Sequence, residues 1–135
     1  MKLVTKDHIS YLTFDIFQNY PLIAALSTRL GGVSEAPFTS LNMGLPVGDR
    51  AEAVLENRRR FFHALGSDAS RLVCAKQVHG THIEIVGKKD CGRGALSMDN
   101  AIPDCDGLIT AEKFVPLILN YADCTPLLFY DPRKE

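Results

Sequence analysis

Apolar positions along the chain fall into several short continuous runs and one helically spaced stripe, and the two periods predict strands and a helix in alternation. The run "LIAALS" (22–27) follows Pro21 and predicts a buried strand. From Asp49 to Gly66 the spacing changes to that of a helix. Asp49 can cap its start with Glu52 three residues on, and Gly66 stands where a C-terminal cap belongs. Val54, Leu55, Phe61, Phe62 and Leu65 form its apolar stripe. Beyond it, "RLVCAKQV", "THIEIV", "DGLIT", "VPLILNYADC" and "PLLFYD" each predict a strand, the last after a Thr125-Pro126 turn. Residues 87–100 predict an exposed polar connector and residues 28–44 a long loop, marked by Gly31-Gly32 and Pro37. A long ordered loop in a compact domain is more often functional than idle. The fold class that follows is α/β or α+β, with mixed β-sheets covered by helices.

The stripe holds one anomaly. Placed at 100° intervals, Arg58 falls near its middle and Asn57 at its edge, while Arg59 and Arg60 fall on the polar side. A guanidinium on a buried face needs a partner. Either Arg58 reaches the surface or a core carboxylate, or it binds an anion at a site.

Composition narrows the function classes. The 135 residues suit one domain, and 46% hydrophobic against 23% charged residues is globular composition. With 15 basic and 16 acidic residues the formal net charge is -1, so no basic excess points to nucleic acid or an anionic membrane. No apolar run reaches the ~20 residues of a membrane span, and the first twenty residues are broken by Lys6, Asp7, His8 and Asp15. The expected compartment is the cytoplasm, where thiols stay reduced. Cys74, Cys91, Cys105 and Cys124 show no CxxC pair, which argues against a disulfide framework or a zinc knuckle.

Three short stretches carry candidate chemistry. In "KQVHGTHIEIV", His79 precedes Gly80, which permits close approach or unusual backbone angles. Within a strand, His79 and His82 would face opposite sides and would not share a metal. Taken alone, His79 reads by default as a hydrogen-bonded structural residue beside a turn, with metal ligation and proton transfer as the sharper readings. In "NYADCTP", Cys124 stands at a strand-to-turn corner as a nucleophile, a soft metal ligand or a small hydrophobe. "PDCDG" (103–107) reads by default as a solvated turn.

Taken in order, "STRLGGVS", "LNMG" with "VGD", "ENRRR", "KQVHG", "DCDGLIT" and "YADCTPLLFYD" resemble the laccase-domain or multicopper polyphenol oxidase family, also described as purine nucleoside phosphorylase-type zinc proteins. The resemblance runs from about Leu22 to Asp131. It implies a layered α/β/β/α fold and a metal site built from His79, Cys124 and a second histidine. That histidine normally lies in a "HAGWRG" motif after the ADC element, beyond residue 135. With the charged "DPRKE" turn at the end, this leads to the expectation that residues 1–135 are the N-terminal portion of a single domain of this type. One thiolate and two imidazoles suit zinc and leave a fourth position for water or substrate. Copper suits the chain less, since it has four histidines in all, His8, His63, His79 and His82. Pro46 departs from the His that the family often carries before the "VGD" element.

The function implied is a zinc-dependent enzyme on purine nucleosides, by phosphorolysis with phosphate and also by adenosine deamination. Zinc would activate water for the second reaction. Arg29 and Arg58 are the candidate phosphate contacts, and Asn42 and Gln77 the candidate polar contacts. A metal-free alternative makes Cys124 a nucleophile and His79 its base, in a hydrolase or deamidase. A third reading is an inactive fragment whose site needs residues from elsewhere. The first two share one geometric expectation, that His79 and Cys124 come together in space.

Overall fold

A computed structural model of the chain describes residues 1–134 and divides into two compact units, Met1–Ser67 and Asp68–Glu135. The mixed α/β class expected from the sequence is the one observed.

The first unit is a three-stranded antiparallel sheet with one helix. Strands β1 (Lys2–Lys6) and β2 (Ile9–Thr13) pair with Lys6 opposite Ile9, so only Asp7 and His8 make the turn. Both have positive φ, 51° and 65°, which suits a two-residue hairpin. The predicted "LIAALS" strand shortens to β3 (Ala25–Ser27), which is half-buried and antiparallel to β2. The sheet presents Ile9 and Tyr11 to the core, where Tyr11 meets Phe61 edge-on at 6.1 Å and Phe61 meets Phe62 at 5.4 Å.

Helix α1 (Ala51–Ala64) buries Val54, Asn57, Arg58, Phe61 and Phe62, the face that the 3.6-residue period marks. It ends as Gly66 predicts. At φ +73° Gly66 donates its N–H to His63 O, and Ser67 N–H reaches Phe62 O, so two last-turn carbonyls are satisfied. The start differs. Arg50, not Asp49, occupies the cap position, without a side-chain cap bond. Asp49 instead accepts bonds from Ser34 Oγ (2.6 Å), Asn42 Nδ2 (3.0 Å) and the Arg50 amide (2.8 Å), so its carboxylate is taken up by the loop and the residue next to it.

On the polar face, Arg59 and Arg60 both reach Glu56, each with Nε at 2.7 Å. The bond from Arg59, then that from Arg60, pulls the Glu56 carboxyl from 4.5 to about 2. A depressed folded-state value means stability that is present above pH 4.5 and lost as pH falls toward 2. We expect a carboxyl chemical-shift titration of Glu56 to show a midpoint near 2. A midpoint near 4.5 would mean that the ion pairs do not form in solution.

The second unit is built from parallel pairs. Strand β4 (Val73–Cys74) lies beside β7 (Leu117–Ile118), and β5 (Ile83–Ile85) beside β6 (Gly107–Ile109). An isolated parallel bridge joins Ala75 to Ile102. Val73, Ala75, Val86, Ile102, Cys105 and Val115 form its core. These strands are shorter than the apolar runs that predict them. "RLVCAKQV" leaves the ladder after the Ala75 bridge, and its next residues turn away. "PLLFYD" forms no strand: Leu127, Leu128 and Phe129 are 73%, 48% and 86% exposed, and no described segment offers them a ladder.

Residues 87–100 are not an exposed connector either. Asp90 is buried, accepts the Gly87 amide at 3.0 Å and pairs with Arg93 Nη1 at 3.2 Å. Gly94, at φ +79°, packs so tightly that an added Cβ would stand 2.6 Å from Cys74 Cβ. The polar composition of this stretch conceals a folded turn that covers β4.

Candidate functional site

In the first unit, the loop 28–44 is fastened to α1 by polar side chains. Asn57, with no exposed surface, accepts Val33 N–H (2.8 Å) and donates to Ser34 Oγ (2.8 Å), Ser40 O (3.2 Å) and Asn42 O (2.8 Å). Arg58, 1% exposed, donates Nε to Met43 O at 2.8 Å. Asn42 joins Gly44 and Asp49. Arg29 is exposed and donates Nε (3.0 Å) and Nη2 (2.8 Å) to Thr39 O. Three of the predicted contact residues thus shape this loop. Of the two arginines, Arg29 is the one that presents its guanidinium to solvent.

In the second unit, Gln77, His79, Asp106, Asn120, Tyr121 and Cys124 line a hollow of about 390 Å³. Two ties assemble it. Gln77 Oε1 accepts the Asn120 amide at 2.9 Å, which joins the QVHG segment to the segment leading to Cys124. Asp106, at the start of β6, accepts three consecutive amides: Val78 N (3.2 Å), His79 N (2.9 Å) and Gly80 N (2.8 Å). His79 itself stands in a left-handed turn, φ 59°, not in a strand. His82 turns away from the hollow and pairs with Glu84 at 2.9 Å.

The electrostatics follow the bonding. The Gly80 amide, then those of His79 and Val78, hold the Asp106 carboxyl below the usual carboxylate range. Burial pushes the Tyr121 phenol up, and burial followed by the charge of Glu84 raises the Cys105 thiol. Cys105 is wholly buried, so its inert packing contrasts with the exposed Cys124.

The donor set at the hollow fits a thiophilic metal. His79 and Cys124 are exposed on one concavity, and neither side chain is held by a hydrogen bond among the described residues. An imidazole nitrogen and a thiol sulfur are two donor types that such a metal takes. Among the described residues there is no cluster of three or more His, Cys, Asp and Glu side chains able to hold a metal. Sequence reasoning took "PDCDG" as a solvated turn and so missed Asp106. Its contacts lie 26 to 28 residues away in sequence, and no local pattern marks them.

No helix among the described residues is long and apolar enough to cross a membrane. The profile of the family described as multi-copper polyphenol oxidoreductase laccase matches residues 23–135. The chain is 48% identical over 110 residues to the purine nucleoside phosphorylase YlmD of Geobacillus stearothermophilus, covering 82% of this chain and 40% of that protein. It is 42% identical over 117 residues to the purine nucleoside phosphorylase YlmD of Bacillus subtilis, covering 87% and 42%. The chain thus spans less than half the length of these relatives. The crystal structure of Geobacillus stearothermophilus YlmD superposes with a TM-score of 0.80 at 44% identity, over 87% of this chain and 43% of that one. Bacillus licheniformis YfiH does so with a TM-score of 0.79 at 34% identity, over 88% and 43%. By residues matched, identity and fold, this chain belongs to the multi-copper polyphenol oxidoreductase laccase family.

Proposed function

We propose that this chain contributes His79 and Cys124 to a zinc centre of a purine nucleoside phosphorylase that also deaminates adenosine. The observation that carries the reading is the placement of an imidazole and a thiol, 45 residues apart in sequence, on one hollow, with no side-chain hydrogen bond among the described residues claiming either. The names of the most similar relatives, purine nucleoside phosphorylases, support the substrate class.

Zinc, when bound, supplies Lewis acidity to a polar group of substrate or water. His79 and Cys124 would hold it together with a third ligand from outside the described residues. Gln77, Asn120 and Tyr121 line the same hollow and offer polar atoms to orient a purine or ribose. Within the first unit, Arg29 is the side chain proposed to bind phosphate, since its Nη1 takes no part in the bonds to Thr39 and a planar fork suits phosphate oxygens. Phosphorolysis joins a phosphate oxygen to the ribose carbon, breaks the bond to the base, and leaves the base to take up a proton. Cytoplasmic location accords with reduced thiols at the site and is part of this proposal.

The test is an assay of the intact polypeptide with inosine or adenosine and inorganic phosphate, following free purine and ribose 1-phosphate. We expect both products in equal amounts, and their loss on metal removal with recovery on added zinc. Full activity in metal-free protein sinks the zinc reading; purine released without phosphate consumption sinks phosphorolysis.

A further inference from the structure

We infer that Asp106 is the positioning residue of His79: by gathering the amides of Val78, His79 and Gly80 on one carboxylate, it fixes the turn that delivers the imidazole to the Cys124 hollow. The inference rests on the zinc reading above and adds to it the residue that sets the geometry of one ligand.

Three observations carry it. The first is the convergence itself, since the His79 amide reaches Oδ1 and the Gly80 amide reaches Oδ2, at 2.9 and 2.8 Å. Consecutive amides that point at one anion form a concave nest, which needs an anion to hold it. Here the anion is a side chain of the same chain. The second is the backbone of His79. A non-glycine residue at φ 59° persists only where its surroundings over-determine it, and the carboxylate grips the amides on both sides of that residue. The third is that Asp106 is itself fixed. Its own amide donates to His82 O at 3.0 Å, and the following Gly107 stands opposite Ile83 in the β5–β6 ladder. The grip on His79 is therefore transmitted from a strand rather than from a loose turn.

Outer-shell groups that orient a metal ligand typically contribute roughly 10–100-fold to metal affinity, and Asp106 does so here through the backbone that carries His79 rather than through its ring. The experiment compares the intact polypeptide with its Asp106→Ala, Asp106→Asn and Asp104→Ala variants. It measures zinc affinity by competition with a chromophoric chelator, amide hydrogen exchange at residues 78–80, and the thermal midpoint. Asp104 is a neighbouring exposed carboxylate without the clamp, and its variant is expected to keep the parent's zinc affinity and amide exchange, with only the small drop in midpoint that alanine costs at φ 46°. For Asp106→Ala the expected result is at least tenfold faster exchange of the His79 and Gly80 amides and on the order of 10–100-fold weaker zinc binding. Asp106→Asn, which keeps one acceptor oxygen and the side-chain volume, is expected to fall between.

Unchanged exchange in both Asp106 variants overturns the clamp. Faster exchange with unchanged zinc affinity overturns the positioning role. So does a weakening of zinc binding that is matched by a collapse of the thermal midpoint in both variants. His79→Ala separates this failure from that of the site. If it binds zinc as tightly as the parent protein, His79 is no ligand, and the zinc reading fails together with the role assigned to Asp106. If it loses zinc while the Asp106 variants keep it, the zinc reading stands and the role of Asp106 alone falls.

Discussion

On the proposed zinc phosphorylase reading, changing Cys124 to serine in the intact polypeptide is expected to cut nucleoside phosphorolysis on the order of 10³-fold, about 4 kcal/mol of transition-state stabilisation, with the thermal midpoint of the metal-free protein unchanged. His79→Asn, which tolerates the left-handed backbone of that position, is expected to do the same. The magnitude follows from removing one ligand of three, since a metal that polarises a reacting group supplies several kcal/mol. Unchanged stability follows from the environment of the two side chains. Both are exposed, and neither packs into the core of its unit nor makes a side-chain hydrogen bond among the described residues. Lost activity then reports chemistry rather than unfolding. Zinc content by mass spectrometry decides between the two catalytic readings. Loss of zinc with loss of activity in both variants supports ligation. If the parent protein is active without metal and a thiol-alkylating reagent abolishes that activity, Cys124 is a nucleophile and His79 its base. A variant that retains full activity removes its residue from the site under either reading.

The two halves of the chain were legible to different degrees, for physical reasons. Helix α1 was readable because its face repeats over four turns and Gly66 supplies the left-handed end that helices favour. Even the odd residue on that face, Arg58, was placed correctly by the period. The strands of the second unit were readable as apolar runs but not as lengths, because an apolar run specifies burial while a ladder needs a neighbour. Val73–Cys74 has one in Leu117–Ile118, and Leu127–Phe129 has none among the described residues. The β1–β2 hairpin escaped notice because β1 is almost wholly exposed, so alternation carries little signal, and its turn is made by Asp7 and His8 rather than by Gly. At the candidate site, sequence order and residue type pointed to His79 and Cys124. The ties that bring them together were invisible, since Gln77 to Asn120 and Asp106 to residues 78–80 both span long stretches of chain. Residue chemistry is a local property, whereas the geometry that makes a site is not.

The residue expected to matter most for stability is Asn57, and its effect can be built up group by group. Asn57→Ala removes the acceptor of the Val33 amide and the donors to Ser34, Ser40 and Asn42. Two of these groups keep other partners, because Ser40 O still accepts the Ser34 amide and Ser34 Oγ still donates to Asp49. Val33 N–H and Asn42 O, both on half-buried residues, are left without another partner among the described residues. An unsatisfied polar group costs roughly 1–3 kcal/mol when fully buried, and these two are half-buried, so the expected loss is about 2 kcal/mol, still large against the stability of a small domain. Asn57→Asp is expected to cost more. It sets a carboxylate oxygen where an NH₂ group faced the carbonyls of Ser40 and Asn42, inside a site with no exposed surface. Urea denaturation followed by the helical signal of α1 and by the amide resonances of residues 28–44 measures both. A loss under 1 kcal/mol for Asn57→Ala would show that water replaces the amide. In that event the loop 28–44 takes its shape from Asp49 and Arg58 instead, and Arg29 is held by a scaffold that tolerates solvent.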